Sequence, residues 1–345
     1  MAVYTTVDDA GLFFNTITYA GTSGASQAQT GVGFQPDLVW IKAEDAESHV
    51  WTDSARGATE SIASNTTAAE VTMATGLLSF DSDGFTVGSE GKVGSSSYTY
   101  VAWSWKGGTT SGLSGGTLTP SAYSFNTTSG FSILAYTGTG STETVPHGLG
   151  AVPACIIVKN LGATAEWQSY QQGIPTPEDY TLQLSATGAK FDTATRWDDT
   201  APTSSVFTLA GNDTVNGSSV AYIAYVFAQI KGYSKFSSYE GNGNADGTFV
   251  YTGFKPACVI TKKFNSTGNW NINDNRRAGY NPDNEELYPN LSGAPGTSDY
   301  MDLLSNGFKL RSTNTDINAS GDSYIYMAWA ENPLVNSSGV PGTTR

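Results

Sequence analysis

The chain has 345 residues, a formal net charge of −14, 14% charged and 12% aromatic residues. This length calls for more than one core. The scattered Lys and Arg of so acidic a chain argue against phosphate-mediated nucleic-acid binding, and no apolar run approaches the roughly 18 residues of a membrane span. The 39 glycines, with plentiful Thr, Ser and aromatic residues, predict short strands joined by turns.

Taken in chain order, residues 1–11 read as an N-terminal arm. FFNTITYAGT at Phe13 is a strand followed by a Gly-rich turn. Next comes PDLVWIK, Pro36 to Lys42, a buried strand entered through Pro, where a missing N–H does no harm. Trp51, Gly57, the Gly84–Phe85 pair and YVAW from Tyr100 complete a first repeat, 12–107. GGTTSGLSGGTLTP follows, so 108–120 is a flexible linker by composition.

The same landmarks then return in order: FSILAYTGTG at Phe131, PACIIVK from Pro153 to Lys159, Trp167, Gly173, Val206–Phe207 and YIAY from Tyr222. They define a second repeat, 121–230. A third, 231–332, carries YSKFSSYEGNG at Tyr233, PACVITK from Pro256 to Lys262, Trp270, Gly279, Gly307–Phe308 and YMAW from Tyr326. Residues 333–345 read as an extended C-terminal tail. Ordered self-similarity is the strongest signal in the sequence. It predicts three tandem antiparallel β-sandwich, jelly-roll-like domains.

Chemistry-bearing groups are sparse. His49 lacks a counterpart in the other repeats and reads as a surface-loop residue, and His147 in PHGLG as a turn residue satisfied by backbone. Cys155 and Cys258 share a repeat position that Leu38 fills in the first copy, so both are expected buried and unlinked. Glu178–Asp179, Asp198–Asp199 and Glu285–Glu286 are carboxylate pairs in polar stretches, where solvated loop charge is the simple reading. DSDG at Asp81 reads as a turn rather than a calcium loop. The recurring Trp51, Trp167 and Trp270 read as core. Trp197, beside Asp198 and Asp199 and in one loop with Tyr180, is the best candidate for glycan contact. No catalytic, cofactor or metal residue is assigned.

FQPDLVWIK, TDSARGAT, SNTTAAE, FDSDGFTVGS, YVAWSWKGG and VPHGLG with AVPACIIVKN resemble repeat domains of virion structural proteins of tailed, mainly marine, bacteriophages, which are described as tail-fibre-like. The opening YTTVDDAGLFFNTITY and the ending NPLVNSSGVPGTTR are similar to the ends of such proteins, so the resemblance spans nearly the whole chain. It implies a non-enzymatic, surface-exposed virion protein, either a tail-fibre or host-attachment component or a capsid-decorating one. The alternatives are a carbohydrate-binding module or a glycan depolymerase. Partners implied are other virion proteins, a host-surface glycan or protein, and further copies of the chain, with a homotrimer expected and both chain ends reaching neighbouring subunits. With no signal peptide visible and two cysteines, synthesis in the host cytoplasm is expected before display on the particle.

Overall fold

A computed structural model describes residues 4–277, 281 and 285–341. The protein is all-β, 41% strand against 5% helix, in several antiparallel sheets. The Pro-led segments become central strands, Leu38–Ala43, Pro153–Asn160 and Phe254–Lys263. Each pairs on one side with the strand that follows it, Val50–Asp53, Gln168–Gln171 or Trp270–Asp274. On the other side each pairs with a closing strand, Thr99–Trp105, Ala221–Ala228 or Ser323–Pro333. The opening strands, Phe14–Ala20, Phe131–Thr137 and Ser234–Glu240, add to the closing strands. One order, opening–closing–central–following, thus occurs three times. A small sheet accompanies each: Gln27–Thr30 with Gly84–Val87 and Leu77–Asp81, Glu143–Pro146 with Val206–Leu209, and Phe249–Tyr251 with Gly307–Leu310 and Met301–Leu304.

The large sheets bury both faces, which is why their central strands read as continuous apolar runs rather than alternating ones. In the first repeat Val39, Ile41, Tyr100 and Ala102 pack towards the small sheet. Leu38, Trp40, Trp103 and Trp105 point the other way, into a core that all three repeats share. At its centre Trp105, Phe227 and Trp329 meet edge to face, with ring centroids 6.2, 5.2 and 5.4 Å apart. These three residues hold one register position, opposite Leu38, Cys155 and Cys258.

The contacts between repeats are cyclic. The Tyr225 hydroxyl of the second repeat donates to Asp53 of the first at 2.7 Å, the Trp103 indole N–H of the first donates to Asp274 of the third at 3.2 Å, and Met327 of the third lies 3.5 Å from the Gln171 amide of the second. Asp53, Gln171 and Asp274 are themselves register equivalents.

Several expectations are corrected. The repeats are not separate sandwiches strung along a chain, because among the described residues their second sheet faces bury one another in a single core. The segment 108–120 is held rather than free: Thr109 bridges to Phe125, Leu118 is buried, and its N–H donates to Thr144 O at 3.0 Å. The described parts of the arm and tail pack on the repeats of the same chain. Val7, Ala10 and Phe14 enter the shared core, Tyr4 donates to Gly253 O at 2.6 Å, and the Asp8 carboxylate accepts from Ser337 N. Residues 1–3 and 342–345, the ends of that arm and tail, lie outside the described residues.

Two landmarks slip by two residues. Trp51 lies opposite Trp40, whereas Trp270 lies opposite Lys262 and Trp167 directly precedes Gln168, the partner of Val158. The first-repeat residue in the Trp167 and Trp270 place is therefore His49, which is fully buried and no surface-loop residue. Its Nδ1 accepts the Trp40 indole N–H at 2.9 Å. Burial pushes its imidazole well below the usual histidine range, and the nearby Lys42 and Arg277 charges push the same way. In the third repeat Tyr324, not Tyr326, matches Tyr100 and Tyr222. Each of these hydroxyls accepts an N–H, from Ser95, Gly217 or Ala319, and donates to a carbonyl, of Gly91, Asp213 or Thr315.

The penultimate residue of each central strand is a buried lysine: Lys42, Lys159 and Lys262. Their ammonium groups donate to main-chain carbonyls, and two reach the preceding repeat, Lys159 to Thr67 O at 3.1 Å and Lys262 to Thr187 O at 3.2 Å. Burial lowers each pKa to about 8, with Asp45, Glu166 and Asp316 opposing the shift. An unfolded lysine keeps its proton to a higher pH, so between about pH 8 and 10 the unfolded chain binds more protons and stability rises with pH. Cys155, whose thiol burial lifts to about 12, opposes this, as do the buried tyrosines towards the top of the window, where only the unfolded chain begins to ionise them. Denaturant midpoints are therefore expected to be higher at pH 9.5 than at pH 7.5, by on the order of 1 kcal/mol per lysine. Lys262→Met should remove about a third of that slope. A fall in stability over the window would refute the buried-amine account.

Candidate functional site

The residues singled out for glycan contact do not form an open aromatic platform. Trp197 ends a single helical turn, Ala194–Trp197, started by the Thr193 side chain. It is 1% exposed, donates its indole N–H to Tyr180 O at 3.1 Å and packs edge-on against Tyr170. All eight tryptophans of the chain are buried. The Tyr180 ring is covered by the Lys190 ammonium, 3.0 Å from its centroid. Asp198 and Asp199 are exposed and both left-handed, at φ 54° and 45°. Desolvation and the charges of Asp179, Asp192, Asp198 and Glu178 hold the Asp199 carboxyl above its ordinary value. The structure thus gathers the acids of this loop but withdraws the aromatic ring that was to sit beside them. A lone Trp in a polar stretch gave no sequence signal of its burial.

The other candidate groups are occupied. His147 is buried, with Nδ1 accepting from Leu149 N and Nε2 3.2 Å from Thr203 O. Cys155 and Cys258 are buried in the shared core and neither is in a disulfide. Asp83 caps the amides of Gly31 and Gly33, and Asp81 accepts from Ser79 and Thr86 hydroxyls. Glu286 is buried, its pKa raised by that burial, and accepts from the Tyr288 hydroxyl at 3.2 Å. Among the described residues no three His, Cys, Asp or Glu side chains are placed to hold a metal ion. None of the described helices is long and apolar enough to cross a membrane.

Two surface cavities lie on seams between repeats. The larger, about 620 Å³, joins Gln35, Asp37, Ser54 and Lys106 of the first repeat to Thr110, Ser121 and Tyr123. Asp37 is engaged there: Oδ1 accepts from Ser54 and Ser124 hydroxyls, both at 2.7 Å, and Oδ2 from Gly107 N at 2.8 Å. A carboxylate so held orients the seam and is poorly placed to take a substrate proton. The rest of the lining offers the Lys106 ammonium, neutral hydrogen-bonding groups and one half-buried ring, which suits recognition of a polar ligand. The second cavity, about 380 Å³, lies between Tyr19, Glu44 and Thr99 of the first repeat and Arg276, Arg277 and Glu285 of the third. Its Arg277 Nε is bonded to Asp274 at 2.8 Å and Glu44 accepts from Thr99 at 2.6 Å.

Residues 9–333 match the family described as a domain of unknown function, DUF7483. The chain belongs to this family. A single DUF7483 match runs through all three repeats, in keeping with the core they share. No curated protein and no solved structure matches the chain.

The described surface also exposes large side chains that the sequence reading passed over. Phe249 and Tyr251, 45% and 49% exposed, stand on one strand of the third repeat's small sheet. The signal was available in the alternation of FVY, whose middle residue is buried and whose flanking rings point out.

Proposed function

We propose that this DUF7483 protein is a non-enzymatic virion component displayed on the particle surface, a tail-fibre-like host-attachment module. The observation that carries the reading is the junction of Trp105, Phe227 and Trp329, which ties three like repeats into one stiff body. Sinking every tryptophan into cores leaves turns, seams and small-sheet faces for display. His49, His147, Cys155 and Asp37 are each engaged in structural contacts. The resemblance of the repeat segments to bacteriophage virion proteins supplies the setting.

In this reading the three-sandwich organisation is one closed unit. The threefold arrangement expected of a homotrimer is already supplied within a single chain, and one copy presents three related faces. That favours a second placement, as a decorating protein on a threefold position of a capsid. The purified protein is expected to scatter light as a monomer near 36.3 kDa; a stable trimer in solution would return the threefold role to separate chains. Gold-labelled antibody on intact particles tests both placements. Label at tail tips supports attachment, label over the shell supports decoration, and particles free of label overturn the proposal.

A further inference from the structure

The three small sheets provide an internal comparison. In each, a buried phenylalanine, Phe85, Phe207 or Phe308, pairs with an inward residue, Gln29, Val145 or Val250. The residues on either side are Ala28 and Thr30 in the first repeat, Thr144 and Pro146 in the second, and Phe249 and Tyr251 in the third. Only the third carries large rings there, and they remain in solvent. The fold does not require them, since two sister sheets do without.

The second repeat shows what such an edge accepts. Residues 116–118 run along the strand Glu143–Pro146: Leu118 N donates to Thr144 O at 3.0 Å, and the Thr117 and Thr144 hydroxyls each accept the other residue's N–H, at 2.8 and 3.0 Å. Leu118 is buried beside Val145, and Gly116 lies so close to Pro146 that a Cβ would come within 2.5 Å of its ring. An extended peptide therefore covers this edge. Phe249 holds the register of Thr144, so strand alternation turns its main-chain N–H and C=O to the open side.

Two lysines flank the Tyr251 end of the third edge, while at the Phe249 end the cross-strand Lys309 is paired with Asp246. Lys235 donates to Tyr251 O at 2.7 Å, and Lys231 sits 4.6 Å over the Tyr4 ring. Tyr4 hydrogen-bonds to Gly253 O beside the Tyr251 hydroxyl. Among the described residues neither lysine has a carboxylate partner within ion-pair distance.

We propose that the strand Phe249–Tyr251 is a docking edge for an extended, acidic peptide segment of a partner protein. The segment would add as a strand beside Phe249, with alternate apolar side chains against Phe249 and Tyr251 and carboxylates towards Lys231 and Lys235. Main-chain hydrogen bonds supply affinity in this mode, and the alternate side chains supply selectivity.

A dye-labelled synthetic heptapeptide alternating Glu with Val and Leu, titrated against the full chain by fluorescence anisotropy, tests this. Binding is expected, with at least tenfold weakening by the double change Phe249→Thr and Tyr251→Thr, which copies the small outward residues of the sister sheets. The same loss is expected when alternate peptide amides are N-methylated, because that removes strand bonding and keeps charge and side chains. Circular dichroism of the double variant should match the parent. No binding, binding indifferent to N-methylation, or displacement of the peptide by an oligouronate that itself needs both rings would each overturn the proposal, the last by assigning the face to an acidic saccharide.

Discussion

Replacing Trp329 with alanine is expected to lower the stability of the whole protein by about 3–5 kcal/mol, the range for deleting a large buried aromatic. Trp329 touches Phe14 and Trp105 of the first repeat, Phe227 of the second and Phe236 of its own. A cavity at that point removes packing from every repeat at once. Calorimetry should therefore show one transition moved to lower temperature. Two or three separated transitions, with only one displaced by Trp329→Ala, would mean that the repeats are independent units and that the central junction is incidental.

The second large effect is expected at Arg56. Its Nε is 2.6 Å from Asp53, its Nη1 2.9 Å from Glu70, and its Nη2 bonds to Trp51 O at 3.1 Å. Asp53 is fully buried and also accepts the Tyr225 hydroxyl of the second repeat. Arg56→Met leaves that carboxylate buried without its cation and should cost about 3–5 kcal/mol. Arg56→Met combined with Asp53→Leu should recover most of the loss, because a buried pair replaced by apolar groups is often close to neutral. The second repeat makes this plausible from within the chain: Gln171 stands in the Asp53 position and meets the sulfurs of Cys155 and Met327 at 3.1 and 3.5 Å. Urea denaturation of the two single variants and the double gives the coupling directly. Additive losses would show that the pair is not what matters at this position.

Much of the strand order was legible because the Pro-led segments are apolar throughout and end on lysine, a pattern only a central strand satisfies three times over. What slipped was register. Tyr324 and Tyr326 lie two apart on one strand face, as do His49 and Trp51, and a shift of two keeps every side chain on its side of the sheet. Periodicity cannot detect that shift; the hydrogen bonds of the Tyr324 hydroxyl can. The shared core was illegible for a related reason. A strand buried against a neighbouring repeat and one buried in its own sandwich have the same apolar pattern, so Trp103 and Trp105 carry no mark of facing another repeat. The segment 108–120 misled by composition: its Gly, Ser and Thr suggested freedom, while the single Leu118 anchors it. At the glycan candidate, Trp197 was read by its acidic neighbours, whereas its indole N–H is spent on Tyr180 O.

The N-terminal arm has a consequence for how the chain can be made. Phe14 stacks on Trp329 at 5.7 Å, Tyr4 reaches Gly253, and Asp8 reaches Ser337, a sequence separation of 329 residues. Residues synthesised early in this segment thus complete their contacts only when the last repeat has emerged. At roughly 5–20 residues per second, that delay is on the order of twenty seconds to a minute. During it the inner faces of the first two sheets, rich in tryptophan, stand open to solvent and to neighbouring nascent chains. Loop closure over such separations is slow, so chaperone demand during synthesis should be high, and chains truncated within the third repeat should aggregate.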